Sequence, residues 1–258
     1  MYGVHLSRRA FLEDLKGNVA GKGEQGEAPP HRVRLSRDRV ISAAVVLADQ
    51  GGIESLSMRN LAQELGVVPM ALYKHVANKE ELLDGMVDVV FGEVEFRSGS
   101  AWRRAMRERA ISMREALLRH RWAVGLMESG TPGPANLRHH NAVMGCLRDQ
   151  AHLSFRMAVH AYSVMDSYIY GFALQEKSLA IDIPAEAERR LERVAERHPS
   201  PADEYPYLIE VVVELGKSGY DYAEEFEFGL DLLLDGIERL QKEDRASAKR
   251  RTVTATRR

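Results

Sequence analysis

The stretch from Ser57 to Lys79, SMRNLAQELGVVPMALYKHVANK, constrains the fold of this chain more than any other. It predicts a short helix, a tight turn, a second short helix and the start of a third. Ser57 can cap the first helix, and Gly66 can end it in the left-handed conformation that glycine adopts at little cost. Pro69 suits the first turn of the second helix, because its fixed φ is helical and its missing N–H needs no acceptor there. The stretch therefore predicts a helix-turn-helix.

The second short helix leaves a set of side chains without acids on its outer face. While Leu72 and Val76 face inward, the outward residues are Met70, Ala71, Tyr73, Lys74 and His75. A helix that meets only water is expected to expose Glu, Lys and Gln instead. A cation, a hydroxyl, an imidazole and small apolar groups can contact phosphates, base edges and thymine methyl groups. The pattern favours a DNA recognition helix, and the alternative is an ordinary surface helix.

Composition limits the other classes of protein. The 258 residues are 45% hydrophobic, which is enough for one large or two smaller domains with a core. No apolar run is long enough to span a bilayer and the N-terminus lacks a signal-peptide core, so we expect a cytoplasmic protein with no membrane partner. The single cysteine, Cys146, excludes an intrachain disulfide and is expected to be a small buried hydrophobe. Because the formal net charge is -2, any positive charge for binding DNA must be concentrated locally.

The rest of the chain predicts helices and no strand of useful length. The fold class is therefore all-α, with an N-terminal three-helix helix-turn-helix domain and a larger helical domain. We expect a disordered extension at 1–31, a DNA-binding domain at 32–78, a helical domain at 79–243 and a basic tail at 244–258. The extension is expected to be a solvated tail, and the alternative is an arm that reaches phosphates or the minor groove. Helices are predicted at about 37–50, 102–120, 136–150, 154–179, 185–198, 204–217 and 221–243.

Two of these helices, 154–179 and 221–243, carry more apolar residues than one helix face can hold. On the second, one stripe consists of Phe226, Leu230, Leu233, Leu234 and Ile237. Phe228 and Leu232 lie elsewhere on its circumference. Both helices are therefore expected to be buried on two sides, either in a large monomeric core or at an oligomer interface.

Motifs of catalysis and metal binding are missing from the sequence. We find no glycine-rich phosphate loop, no H-E-x-x-H and no nucleophile elbow. The loosely clustered histidines 120, 139, 140, 152 and 160 lack the spacing of metal ligands and are expected on the surface or in a pocket. No catalytic residue, metal site or cofactor is predicted. A small helical enzyme or metal-binding protein with a chance helix-turn-helix is the alternative class.

From about residue 35 to residue 90 the sequence resembles the DNA-binding domain of the TetR family, most closely the branch named for the tetracycline repressor. The resemblance rests on the caps, the turn, LYKHV and NKEELL in order, and continues more weakly in YIYGFALQEKSL and FEFGLDLLLDGIE. It implies a transcriptional repressor that binds near-palindromic operator DNA as a homodimer and is released by a small organic effector. It also implies that the two highly apolar helices pair with their symmetry mates in a four-helix bundle.

The resemblance also assigns residues to DNA by their position in the motif. It implies that the residues near base edges are Arg59, Pro69, Met70, Ala71, Lys74 and His75. It implies that Ser57, Tyr73 and Lys79 hold phosphates. Because Met70 and Ala71 differ from the residues of the tetracycline repressor, the operator is not expected to be the same.

The effector site shows a departure from that branch, whose members hold a drug–magnesium complex with a histidine and a glutamate. Matching ALLRHRW and YGFALQEK puts Met127 and Gln175 at those two positions, and Glu95 and Ser167 where ligand-contacting histidines occur. Methionine is a poor ligand for Mg²⁺, and a neutral amide cannot replace a carboxylate. The expected lining also includes Trp122, Met165, Tyr168 and Phe172. We therefore expect a largely apolar organic effector that binds without metal.

Overall fold

A computed structural model of the chain describes residues 34–256, with gaps at 98, 100, 129 and 219–220 and over most of 179–199. The extension expected at 1–31 lies outside the described residues, as does most of the helix expected at 185–198. From Leu35 onward the chain forms one compact unit.

The described residues form helices, and no strand occurs among them. The helices are α1 Arg37–Gly51, α2 Met58–Glu64, α3 Pro69–Leu72, α4 Lys79–Gly92, α5 Trp102–Arg119, α6 Pro134–Gly145, α7 Phe155–Ser178, α8 Pro201–Glu204, α9 Pro206–Ser218 and α10 Tyr222–Thr256. Single turns at Ile53–Ser55 and Ala123–Gly125 and a wide helical turn at Cys146–Gln150 complete the described elements. The all-α class is confirmed. None of the described helices is long and apolar enough to cross a membrane.

Side-chain caps begin three of the first four helices. The caps are Ser36 for α1, Ser57 for α2 and Asn78 for α4, each accepting a backbone hydrogen bond three residues on. At α4 the Glu81 carboxylate also accepts the backbone N–H of Ala77 at 2.7 Å, one residue before the cap. Asn78 and Glu81 therefore form a capping box whose return hydrogen bond is displaced by one residue.

The α4 helix joins the two ends of the fold. On one side it packs against α1, and on the other against α6. Its inner face includes Leu82, Met86 and Val90, all completely buried. Two carboxylates on α4 hold the segment that precedes and begins α6, because Asp84 accepts the backbone N–H of Thr131 and Asp88 that of Asn136, at 3.1 and 2.8 Å. A movement of α4 would therefore reach both neighbours.

The two highly apolar helices, α7 and α10, pack against each other and against α5. Within the chain α10 buries one stripe, made of Phe226, Leu230, Leu234 and Ile237. Phe228 and Leu232 stay 65% and 59% exposed on the opposite side, as their positions in the sequence predict. Leu233 is only half-buried, so it belongs to the edge of the stripe. We call the exposed apolar side of α7 and α10, which includes Phe228 and Leu232, the bundle face.

Two details differ from the sequence expectations. The last helix continues to Thr256 instead of ending at Glu243, because the basic segment after Glu243 contains no proline or glycine to stop it. The helix expected at 136–150 ends at Gly145, and a wide turn over Cys146–Gln150 follows. Cys146 is buried, as expected, and burial raises the pKa of its thiol to about 11.

Candidate DNA-binding and effector sites

The α2–turn–α3 segment has the local geometry that its sequence predicts. Gly66 adopts φ 65°, and the next residue, Val67, donates its backbone N–H to the carbonyl of Ala62 at 2.9 Å. Pro69 follows at the start of α3. Leu61 on α2 and Leu72 on α3 are completely buried and lock the two helices together. The outer face of α3 is thereby held in a fixed orientation.

Most of the side chains predicted to approach DNA lie on the surface. Pro69, Met70, Tyr73 and Lys74 are exposed on or beside α3, and Arg59 and Lys79 are exposed at the starts of α2 and α4. Ala71 and His75 are half-buried, as is Ser57. The Ser57 oxygen accepts the backbone N–H of Asn60 at 3.1 Å, which leaves its hydroxyl proton to donate to a phosphate. We call this set, which consists of Ser57, Arg59, Pro69, Met70, Ala71, Tyr73, Lys74, His75 and Lys79, the recognition surface.

Sequence reasoning missed one exposed residue of this surface. Val68, directly before α3, is 69% exposed, close to the 72% of Met70. It was not among the residues predicted to contact DNA. The available signal was its place at the start of α3, where serine, threonine, aspartate or asparagine is preferred.

A charged junction connects α1 with the ends of α4 and α5. His120 places Nδ1 2.8 Å from Asp49 Oδ1 and Nε2 3.1 Å from Glu93 Oε1. Burial disfavours its charged form, but the hydrogen bonds and charges of the two carboxylates raise the pKa of His120 to about 9. The hydrogen bond from His120 is the main cause that lowers the pKa of Glu93 to about 2. At neutral pH the junction therefore contains an imidazolium between two carboxylates.

Trp122, which was predicted to line the effector site, belongs to this junction. Its indole Nε1 donates to Asp49 Oδ1 at 2.8 Å, and its ring lies 6.0 Å from that of His120. The side chain is almost completely buried. Trp122 thus connects the segment after α5 with α1 and the helix-turn-helix.

Met127, the residue matched to the metal-binding histidine, lies in a cavity wall. The cavity, about 150 Å³, lies between α4, the 127–133 segment and α6. The polar residues of its wall are Asp84, Asp88, Glu128, Thr131, Asn136 and His140. Burial is the main cause that lowers the pKa of His140, so this imidazole is neutral. The wall around Met127 is therefore more polar than the aromatic lining that the sequence predicts.

The other residues predicted for the effector site lie elsewhere in the single chain. Tyr168 stacks on Phe226 with 5.3 Å between ring centroids and donates its hydroxyl to the Phe226 carbonyl at 2.9 Å. Glu95 is exposed and pairs with Arg97 at 3.3 Å. Ser167 and Gln175 are exposed on α7. Of the predicted set, Met127 lines the cavity described above, and these four residues are not part of its wall.

A buried polar cluster between α5, α6 and α7 was not predicted. Arg109 is completely buried; its Nε donates to His139 Nε2 at 2.9 Å, and one Nη lies 2.6 Å from Asp166 Oδ1. The other Nη has no hydrogen-bond partner among the described residues. Burial, followed by the Arg109 charge, lowers the pKa of His139 to about 3, so His139 is a neutral acceptor. Tyr170 donates its hydroxyl to Asp166 Oδ2 at 3.5 Å.

The signal for this cluster was present in the sequence of α5. Arg109 lies three residues after Met106 and four before Met113, on the same buried helix face. A charged residue inside such a stripe has to be paired when it is buried. The cluster supplies polar groups to the interior of the larger helical domain.

Comparisons with known proteins agree with this arrangement. The family model "Bacterial regulatory proteins, tetR family" matches residues 40–86, and "Tetracyclin repressor-like, C-terminal domain" matches residues 97–241. The chain is 32% identical over 214 residues to the tetracycline repressor protein class G of Vibrio anguillarum, covering 81% of this chain and 96% of that protein. It is 31% identical over 233 residues to the HTH-type transcriptional repressor DrrR1 of Streptomyces coeruleorubidus, covering 83% of this chain and 81% of that protein.

Solved structures show the same fold. Apo ActR from Streptomyces coelicolor superposes with a TM-score of 0.67 at 28% identity, covering 84% of this chain and 99% of ActR. ActR in complex with actinorhodin gives a TM-score of 0.65 at 29% identity, covering 80% of this chain and 97% of that one. A TetR variant from Acinetobacter baumannii AYE in complex with minocycline gives 0.62 at 29% identity, covering 81% and 96%.

Proposed function

This chain belongs to the TetR family of transcriptional regulators, and we propose that its DNA-binding region spans about residues 32–78 and its effector-binding and dimerisation region about 79–243. It is a ligand-responsive repressor that binds operator DNA as a homodimer and is released by a small organic effector. The observation that supports the assignment of DNA binding to the first region is the outer face of α3, which is exposed and carries no acid, while the inner side of the helix-turn-helix is buried. Because it acts on operator DNA, we propose that it is located in the cytoplasm.

For the DNA contacts, the proposed roles follow from side-chain chemistry and exposure. Arg59 and Lys74 are exposed cations that can reach base edges, and Arg59 can form the bidentate contact that guanine accepts. Ser57, Tyr73 and Lys79 carry a hydroxyl or an ammonium group at the rim of the recognition surface, where phosphates would lie. Phosphate contacts set the position on DNA, and base contacts set the sequence.

For the effector, we propose an organic molecule that binds without metal between α4, α5, α6 and α7. The thioether of Met127 is a poor ligand for Mg²⁺, and the two wall carboxylates on α4, Asp84 and Asp88, already accept the backbone N–H groups of Thr131 and Asn136. The carboxylates of the Met127 cavity and the Arg109 cluster indicate that the effector carries hydrogen-bonding groups beside its apolar skeleton. Two related structures contain an organic ligand: ActR is in complex with actinorhodin, and the A. baumannii TetR variant is in complex with minocycline.

Release requires the effector to bind the DNA-free form more tightly than the DNA-bound form. The α4 helix contacts α1 on one side and the Asp84 and Asp88 partners near the cavity on the other. An effector that displaces α4 would therefore change the separation of the two recognition surfaces in the dimer. The junction at His120 ties the far end of α4 to α1 in addition.

The function is tested by fluorescence anisotropy of the full-length dimer with the DNA upstream of its own gene. We expect nanomolar binding to one near-palindromic segment, with half-sites about one helical turn, or about 34–36 Å, apart. An equal affinity for scrambled duplex at 150 mM salt would contradict a specific repressor. The alternative, a helical enzyme with a chance helix-turn-helix, finds no support in the relatives, which are transcriptional regulators.

A further inference from the structure

The recognition surface has an apolar edge at the turn and at the start of α3. Its four consecutive residues are Val68, Pro69, Met70 and Ala71. Val68 and Met70 are 69% and 72% exposed, and Pro69 is exposed as well. None of the four side chains carries an N–H or O–H donor or a strong oxygen acceptor. These residues therefore offer the DNA an apolar surface and little hydrogen bonding.

Packing within the chain does not account for this exposure. The inward side of the same segment is already filled by Leu72 and Val76, which are almost completely buried. Val68 also occupies the N-cap position of α3 and makes no side-chain cap hydrogen bond, whereas α1, α2 and α4 begin with a serine or asparagine that does. At α3, an exposed valine therefore occupies the position where a capping side chain would stabilise the start of the helix.

The major groove contains one apolar group, the C5-methyl of thymine. The apolar edge is continuous with Tyr73 and Lys74 on the recognition surface, so a duplex bound there meets Val68 and Met70 as well. Hydrogen bonds to bases are left to Arg59, Lys74 and His75. A purely hydrogen-bonding base edge opposite Val68 and Met70 would lose water without gaining a partner.

We propose that Val68 and Met70 read thymine methyl groups, and that each operator half-site carries one or two thymines opposite the apolar edge. This inference rests on the proposed function and specifies the bases that the recognition surface prefers. Val68 and Met70 thereby add to the specificity that Arg59, Lys74 and His75 provide, while Ser57, Tyr73 and Lys79 hold the position on the phosphates.

The test begins with selection of duplexes from a randomised library by the full-length dimer. Each thymine of the selected half-site is then replaced by deoxyuridine, which removes only the methyl group and keeps every hydrogen-bonding group. At one or two positions per half-site we expect the Kd to rise about three- to fivefold, the effect of withdrawing one methyl from an apolar contact. At such a position, 5-methylcytosine should bind more tightly than cytosine.

Protein variants assign the methyl contact to its side chain. In Val68→Ala or Met70→Ala, the deoxyuridine penalty at the matching thymine should disappear, because the methyl has lost its partner. Leu137→Ala, which shortens a 58% exposed apolar side chain on α6, should keep the full penalty. All three variants alter exposed side chains, and an unchanged melting temperature verifies that they fold.

Two results would overturn the inference, and they are distinguishable. If a selected duplex binds specifically but deoxyuridine changes the Kd at no thymine, or if the penalty persists in both alanine variants, methyl readout is wrong and the repressor function stands. If selection enriches no sequence at all, the proposed function fails and the inference fails with it.

Discussion

Arg59 and Lys79 are both exposed cations beside the recognition surface, yet we expect their removal to have different consequences. Arg59→Ala should cost about 1–3 kcal/mol of binding free energy and relax the preference at one base pair, because a guanidinium that contacts a guanine edge discriminates among bases. Competition binding with every single-base variant of the operator half-site measures this. A variant with an unchanged preference at all positions would remove Arg59 from the base-reading set.

Lys79→Ala is the variant to compare with Arg59→Ala, because it also removes one positive charge but from a residue proposed to contact a phosphate. It should weaken binding to all sequences by a similar factor and reduce the slope of log K against log salt by about one, since one fewer phosphate is neutralised. Anisotropy titrations of specific and scrambled duplexes over a salt series give both quantities. A loss confined to the specific duplex would place Lys79 against a base instead.

His120 makes the stability of the fold depend on pH in a defined window. Because its pKa is raised from 6.5 to about 9, its contribution is fully present below pH 6.5 and declines as the pH rises towards 9. The opposite holds for Glu93, whose contribution is present above pH 4.5 and is lost as the pH falls towards 2. Denaturant unfolding should therefore show stability falling between pH 6.5 and 9.

The matched variant is His120→Gln, which keeps a polar side chain of similar length but cannot carry the charge. It should be less stable than the original by about 1–3 kcal/mol at pH 6.5, because Asp49 and Glu93 lose a charged donor. Its stability should also vary less between pH 6.5 and 9. An unchanged slope in that window would assign the pH dependence to other groups.

At the level of single residues, the sequence predicts exposure well where neighbours in the chain decide it. Met70 and Lys74 are exposed and Leu72 is buried because helical spacing separates them. The contacts of Arg109 and Trp122 were not predicted, because their partners, Asp166 and Asp49, are 57 and 73 residues away along the chain. No local pattern reports which distant carboxylate meets a given side chain.

At the level of elements, the helices were predicted wherever caps and breaks are encoded locally. Ser36, Ser57, Gly66 and Asn78 set their boundaries through backbone hydrogen bonds or a positive φ. The prediction that α10 ends at Glu243 was wrong. The basic segment that follows resembles a solvated tail, but it contains no proline or glycine that would stop the helix. The division of α10 into an inner and an outer apolar side was predicted, since the helical period places Phe228 and Leu232 apart from the inner stripe.

The bundle face gives the prediction that belongs to this scale. Phe228→Arg or Leu232→Arg should convert the homodimer to a monomer. The family resemblance implies that α7 and α10 pair with their symmetry mates, and an arginine at either exposed position would then be buried among apolar side chains. Light scattering coupled to size exclusion gives the mass, and circular dichroism verifies the helical content. A variant of Leu232 that stays dimeric at micromolar concentration would place the interface elsewhere.

Leu230→Arg and Leu137→Arg serve as controls for that experiment. Leu230 is completely buried within one chain, so its replacement by arginine should lower the melting temperature or cause aggregation in addition to any change in mass. Leu137 is exposed on α6 and is not part of the bundle face, so its replacement should leave the dimer and the fold intact.

On the scale of the whole molecule, the side chains that line the proposed effector cavity decide which compound can release the DNA. The residues matched to the metal ligands of the tetracycline repressors differ in this chain. Met127 in the cavity wall offers a thioether to a metal, and Gln175, exposed on α7, offers a neutral amide. Among the residues that the structure describes, no three His, Cys, Asp or Glu side chains are grouped as metal ligands. The Mg²⁺ ion of a tetracycline–Mg²⁺ complex bound there would lose coordinating water molecules without gaining oxygen ligands from the protein.

We therefore expect that tetracycline at micromolar concentration does not release this protein from its operator, with or without millimolar Mg²⁺. The measurement is anisotropy of the labelled operator duplex during titration, with the class G tetracycline repressor and its own operator as the positive control. Actinorhodin, the ligand of the related ActR, is the metal-free probe to titrate in parallel. Release by tetracycline that appears only with Mg²⁺ would contradict the metal-free site. Release by tetracycline without Mg²⁺ would contradict the expectation for that drug while leaving the metal-free site in place. Release by actinorhodin that is independent of Mg²⁺ would agree with the metal-free site, because the binding free energy would then come from apolar contact and from hydrogen bonds to groups such as the Arg109 cluster.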